Sequence, residues 1–178
     1  IIYVENTLDA LQKWAKIHRS QFSLPVVAIT GSNGKTIVKE WLFDLLKSKY
    51  SIVRSPKSYN SQIGVPLSLL QINEKHEIAL IEAGISTTGE MNKLSDLIKP
   101  DIGILTNIGN AHDAGFKNRA EKVKEKLLLF KNVRSLIYNS EDISEKDDLI
   151  PQDISFSWGS NSANIIIEEC KLESNATK

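Results

Sequence analysis

The stretch Val26-Val27-Ala28-Ile29-Thr30-Gly31-Ser32-Asn33-Gly34-Lys35-Thr36 constrains this chain more than any other. Apolar, mostly β-branched residues run straight into Thr-Gly, then Gly-Lys-Thr, and an amphipathic segment follows from Ile37 to about Tyr50. Strand, glycine loop and helix, in that order, are the context a phosphate-binding loop needs. Glycine lets the backbone wrap closely around an anion. The helix N-terminus adds free N–H groups and the positive end of the helix dipole. On this reading Gly31, Ser32, Asn33, Gly34, Lys35 and Thr36 hold a nucleotide, Lys35 reaches the β/γ-phosphates, and the Thr36 hydroxyl meets Mg²⁺. One position departs from the general pattern. The glycine expected five residues before Gly34 is Ile29, so the loop reads Gly-x-x-Gly-Lys-Thr. The alternative is an ordinary strand-turn-helix with an exposed lysine, and the flanking strand and helix argue against it.

Composition bounds the partners. The 178 residues hold 22 Lys+Arg and 22 Asp+Glu, a net charge of +0. No field of one sign points to nucleic acid or an anionic membrane. The single cysteine, Cys170, cannot close an internal disulfide, which fits a reducing compartment and so the cytoplasm. No apolar run approaches membrane-spanning length. The first residue is not Met, so a piece of a longer chain is expected, and a monomer.

Periodicity gives a helix over Thr7–His18, a core strand at Val26–Thr30 and a helix whose buried face would carry Ile37, Trp41, Leu42, Leu45 and Leu46, with Lys39 and Lys47 elsewhere. Strands follow at Ser51–Ser55, Glu77–Glu82, Ile102–Thr106 and Ser135–Asn139, separated by helices starting near Pro66, Gly89 and Arg119. The alternation predicts an α/β fold: a mainly parallel P-loop-type sheet with helices on both faces. Ile154–Trp158 and Asn164–Leu172, after a polar stretch, read as a small antiparallel extension near the C-terminus. Residues 1–24 are expected to be a linker and helix from an N-terminal domain outside this sequence. Residues 25–178 are expected to be one nucleotide-binding domain cut short at its C-terminal end.

In such sheets ligands sit beyond the carboxyl ends of the strands. Four stretches stand there: Gly31–Thr36, Tyr59-Asn60-Ser61-Gln62-Ile63-Gly64-Val65-Pro66-Leu67, Ile81-Glu82-Ala83-Gly84, and Thr106-Asn107-Ile108-Gly109-Asn110-Ala111-His112. Alone, Glu82 could be a solvated strand-end acid and His112 a surface loop residue. A fifth stretch, Glu125-Lys126-Leu127-Leu128-Leu129-Phe130, lies on the following helix. On a helical wheel Val123, Leu127 and Phe130 define its buried face. Lys126 borders that face, and Lys122, Lys124 and Lys131 point to solvent. Geometry by itself makes Lys126 a snorkelling lysine.

Together these stretches resemble the ATP-binding central domain of the Mur ligases, from about Leu8 to Trp158. Ala111-His112, Ile63–Leu67, and Glu82-Ala83-Gly84 with Gly89-Glu90-Met91 look like the members that attach D-Ala-D-Ala to UDP-MurNAc-tripeptide. Folylpolyglutamate synthetase is similar in the loop and in Glu-x-Gly. It ranks lower, because its counterpart of Ala111-His112 more often reads Asp-His. The resemblance implies an ATP-dependent ligase that makes an acyl phosphate, which an amine then attacks. It also implies two Mg²⁺ ions. Thr36 would hold the first, Glu82 and His112 the second, and Lys126 would match the family's carbamylated lysine. Lys35, Lys126 and His112 would be catalytic, with Asn60 and Asn107 near substrate or phosphate and Gln62 an alternative to Asn60. A P-loop kinase or GTPase is the competing class, and no guanine-reading Asn-Lys-x-Asp stretch supports the latter.

Overall fold

A computed structural model of the chain describes residues 3–109, 115–143, 154–160 and 163–168. The elements run α1 (Thr7–Arg19), β1 (Val26–Thr30), α2 (Lys35–Leu46), β2 (Ile52–Arg54), α3 (Gly64–Leu69), β3 (Ile78–Glu82), α4 (Glu90–Ile98), β4 (Ile102–Leu105), α5 (Arg119–Leu127), β5 (Ser135–Asn139), β6 (Ile154–Gly159) and β7 (Ile165–Ile166). A 3-10 turn over Leu128–Phe130 continues α5. The seven strands form one sheet in the order β2-β3-β1-β4-β5-β6-β7.

Every pairing is parallel, which confirms the α/β class and corrects one detail. Residues 154–159 and 165–166 extend the same sheet in parallel and are not an antiparallel addition. Local pattern sets strand propensity, whereas direction is set by the connection. The polar stretch before β6 is long enough for a crossover back to the amino end of the sheet.

Register sorts the two faces. Val26 and Ala28 lie beside Ala79 and Ile81. With Met91, Leu94, Leu127, Phe130 and Leu136 they form the main core, and α1 packs over it against α3 and α4. Ile29 and Leu80, also fully buried, alternate to the opposite face, where α2 lies against β1 and β3. Gly103 admits Phe130 to the core, since a Cβ there would come within 2.3 Å of that ring.

Helix α2 is rotated from its expected orientation: Leu42 and Leu46 are half-buried as expected, but the other three apolar residues are not. Ile37, Trp41 and Leu45 are 56%, 66% and 74% exposed, while Lys39 is fully buried. Trp41 is therefore not a core residue. The apolar stripe finds no covering element among the described residues, and polar groups beside Glu82 take Lys39 inward instead.

Candidate nucleotide site

From β1 the chain leaves toward α2 on one face, and from β3 toward α4 on the other. The crevice between their carboxyl ends is where an open α/β sheet binds ligands. A cleft of about 410 Å³ opens there, lined by Gly31, Lys35, Asn60, Gln62, Ser86 and Lys126 among others.

The loop's glycines are required by its shape. Gly31 has φ +146° and a Cβ would stand 1.9 Å from Thr106 Oγ1, while Gly34 has φ +80° at the N-cap of α2. No side chain caps that helix, which leaves its amino end to an anion. The neighbouring strand end braces the loop. Asn107 accepts from Ser32 N–H through its carbonyl (2.8 Å) and from Asn33 N–H through its side chain (3.0 Å). Thr106 Oγ1 donates to the Asn33 carbonyl at 2.6 Å. Asn107 thus acts on the loop's backbone, and Ser32 Oγ ties down the next residue pair by donating to Gly109 O at 3.1 Å.

Two lysines meet on one carbonyl. Lys35 Nζ donates to Gly31 O at 2.9 Å and Lys126 Nζ to the same oxygen at 3.2 Å. Burial lowers the Lys35 pKa, and Glu82 partly opposes that shift. Lys126 is 2% exposed. Its burial, then the charges of Lys35 and Lys122, push its pKa down to about 8. Glu125, next to it on α5, accepts from Gly89 N–H (2.8 Å) and Met91 N–H (3.0 Å), which locks α5 to the start of α4.

The acid side is equally closed. Glu82, 1% exposed, accepts from Thr36 Oγ1 (2.8 Å) through one oxygen and from Asn60 Nδ2 (2.6 Å) through the other. Asn60 also accepts from Gly84 N–H at 2.8 Å, so the loop after β2 is stitched to the end of β3. Gln62 is turned away from this carboxylate, bonded to Gln12 and to the Glu90 carbonyl.

The structure thus brings together Gly31, Ser32, Asn33, Gly34, Lys35, Thr36, Asn60, Glu82, Asn107 and Lys126. His112 lies outside the described residues. Lys124 is exposed as expected. Lys122 is not, being 1% exposed and bonded to the Gly109 carbonyl. It stands one turn before Lys126 on the same face, and the loop carbonyls give both ammonium groups acceptors. Lys39 is a second residue that periodicity missed. The available signal was its spacing, four residues after Lys35.

An oxygen donor set of Thr36 hydroxyl and Glu82 carboxylate suits a hard cation such as Mg²⁺. No cluster of three acidic, His or Cys side chains exists among the described residues.

Residues 29–178 match the Mur ligase middle domain. The chain is 35% identical over 145 residues to the UDP-N-acetylmuramoyl-tripeptide–D-alanyl-D-alanine ligase of Bacillus subtilis, covering 80% of this chain and 32% of that protein. It is 38% identical over 139 residues to the ligase of the same name from Borreliella burgdorferi, covering 78% and 30%. The solved MurF ligase of Thermotoga maritima in complex with ADP superposes with a TM-score of 0.85 at 29% identity, covering 98% of this chain and 42% of that one. The chain thus spans about a third of the length of the curated relatives it matches.

Proposed function

The chain belongs to the Mur ligase family through its middle domain, and from that premise we propose that it is the ATP-handling part of an enzyme that adds D-Ala-D-Ala to UDP-MurNAc-tripeptide. ATP would convert the tripeptide's terminal carboxylate to an acyl phosphate. The amine of D-Ala-D-Ala would then attack, releasing phosphate and leaving an amide and ADP. Its relatives carry this activity in their names, and the solved neighbour binds ADP.

The observation that carries the reading is the pairing of Lys35 and Lys126 on Gly31 O opposite the Thr36–Glu82–Asn60 chain of hydrogen bonds. Two anions must meet in this reaction, and cations around the transferred phosphoryl lower that barrier: Lys35 supplies one directly, and Lys126 would act through its carbamate as a metal ligand rather than as an ammonium. Lys35 exchanges its loop carbonyls for phosphate oxygens. Asn107 holds the loop's backbone, and Asn60 holds the Glu82 carboxylate and the end of β3. Thr36, Glu82, His112 and Lys126 as its carbamate would hold Mg²⁺, which supplies charge neutralisation on the phosphates when bound. The lowered Lys126 pKa favours this, because the neutral amine is the form that reacts with CO₂.

The test is a coupled assay of the full-length parent enzyme with ATP, UDP-MurNAc-tripeptide and D-Ala-D-Ala. One amide and one phosphate should appear per ATP consumed. ATP turnover that ignores both acceptors, or amide formation with GTP as readily as with ATP, would overturn the assignment.

A further inference from the structure

Lys39 is the largest departure from the sequence pattern at this site. It stands one turn beyond Lys35 on α2 and is fully buried. Its ammonium donates to the Ser55 carbonyl at 2.8 Å and to the Lys57 carbonyl, and lies 3.8 Å from Glu82 Oε2 and 3.2 Å from Glu40 Oε1. All but the last of these contacts lead to Glu82. Ser55 Oγ accepts the Glu82 N–H at 3.1 Å. Lys57, a non-glycine residue at φ 49°, turns the chain toward Asn60, whose amide donates to Glu82 Oε1. Burying an ammonium ion is costly, and a methionine of similar length would fill the same space without that cost. Replacing Lys39 alone would leave the buried Glu82 carboxylate and the Ser55 and Lys57 carbonyls without it, so a structural share in its role is expected, and the variants below are chosen to separate that share from positioning.

We propose that Lys39 is a positioning residue of the nucleotide site. From behind Glu82 it holds the carboxylate and the Asn60 turn in place and offsets the carboxylate's charge. The Thr36–Glu82 pair then takes up a divalent cation only together with the phosphates of the nucleotide. This rests on Glu82 being a metal ligand, as proposed above. A buried carboxylate on its own attracts a divalent cation in a poorly screened site. A fixed positive charge 3.8 Å away cancels much of that attraction. The phosphates of ATP restore it. Lys39 touches neither the reacting atoms nor the cleft lining.

Mn²⁺ binding to the full-length parent enzyme, followed by electron paramagnetic resonance with and without a non-hydrolysable ATP analogue, tests this. The variants are Lys39→Met and Lys39→Gln, the second keeping a donor for the Ser55 and Lys57 carbonyls without the charge. Without nucleotide, both should bind Mn²⁺ at least about tenfold more tightly than the unmodified enzyme. Their kcat should fall at least about tenfold with a smaller change in KM for ATP, because alignment rather than ATP binding is lost. Lys39→Arg should return nucleotide-free Mn²⁺ affinity toward that of the unmodified enzyme. A lowered melting temperature with unchanged kcat and unchanged nucleotide-free Mn²⁺ affinity in Lys39→Gln would overturn the proposal and leave Lys39 a structural residue. Glu82→Gln separates the two levels. If Glu82→Gln leaves nucleotide-free Mn²⁺ affinity unchanged, both in the unmodified background and combined with Lys39→Gln, the metal-ligand reading fails and this proposal falls with it.

Discussion

Lys126 should cost the fold stability at neutral pH, and replacing it should make the chain more stable. An unfolded chain holds the lysine proton up to about pH 10.4, whereas the folded chain holds it only to about pH 8. Between those values the unfolded state binds more protons, so stability rises with pH through the window. Below pH 8 the full penalty applies, about 3 kcal/mol for a difference of this size. The bond to Gly31 O returns about 1 kcal/mol of it. Lys126→Met keeps the length and removes the charge, so a gain of about 2 kcal/mol is expected at pH 7. In urea the unfolding midpoint should then rise by about 1 M. The assay is urea unfolding of the 178-residue chain and its variant in CO₂-free buffer, at pH 7 and at pH 10. The gap should be large at pH 7 and close, or reverse, at pH 10. Bicarbonate at pH 8.5 should stabilise the unmodified chain alone, since only it can form the carbamate. A variant no more stable than its parent at pH 7, or a gap indifferent to pH, would refute the reasoning.

In the full-length enzyme, Lys35→Ala removes a cation from the phosphates and Thr36→Ala a metal oxygen. Each should abolish turnover in the ligase assay while leaving the circular dichroism spectrum unchanged, and near-normal rates in either would remove the nucleotide-site assignment. Glu82→Ala and His112→Ala should each lower kcat by orders of magnitude, with partial recovery in raised Mn²⁺ as the check on their role as ligands. Lys126→Ala should be nearly inactive and regain activity with short carboxylic acids, whereas Lys124→Ala, on an exposed position of the same helix, should be close to normal. The reverse pattern in the same kinetic assay would mean that the helix register is wrong.

Most of the scaffold was legible because strand runs and glycine loops are local signals. Val26–Thr30 leads into Gly31 and Gly34, whose conformations only glycine adopts easily. Ser135–Asn139 and Ile78–Glu82 lie where apolar runs put them. A helical wheel puts Lys126 at the border of the face of Val123, Leu127 and Phe130 and by itself makes it a snorkelling lysine, whereas its amine is buried against the Gly31 carbonyl, an acceptor remote in sequence. The failures on the helices share one cause. Which face of a helix is buried depends on what covers it, and a wheel cannot know that. On α2 the apolar Trp41 points out and Lys39 points in, because carbonyls of residues 55 and 57 and the Glu82 carboxylate, all remote in sequence, gather beneath it. Lys122 was misplaced for the same reason, its acceptor being the Gly109 carbonyl on another element. Strand direction at β6 failed because it is a property of the connection rather than of the strand; the short link to β7 gives no such account of its parallel pairing.

The exposed side of α2 also governs how solutions of this chain behave. Ile37, Trp41 and Leu45 form a greasy ridge along the helix, and the chain has a formal charge of +0 with an isoelectric point of about 7.0. Near neutrality, therefore, no long-range repulsion keeps two molecules apart, while the ridge supplies a short-range attraction that added salt strengthens rather than screens. Solubility of the isolated chain should pass through a minimum near pH 7 and rise a unit or two to either side of it, which a precipitation series against pH would check.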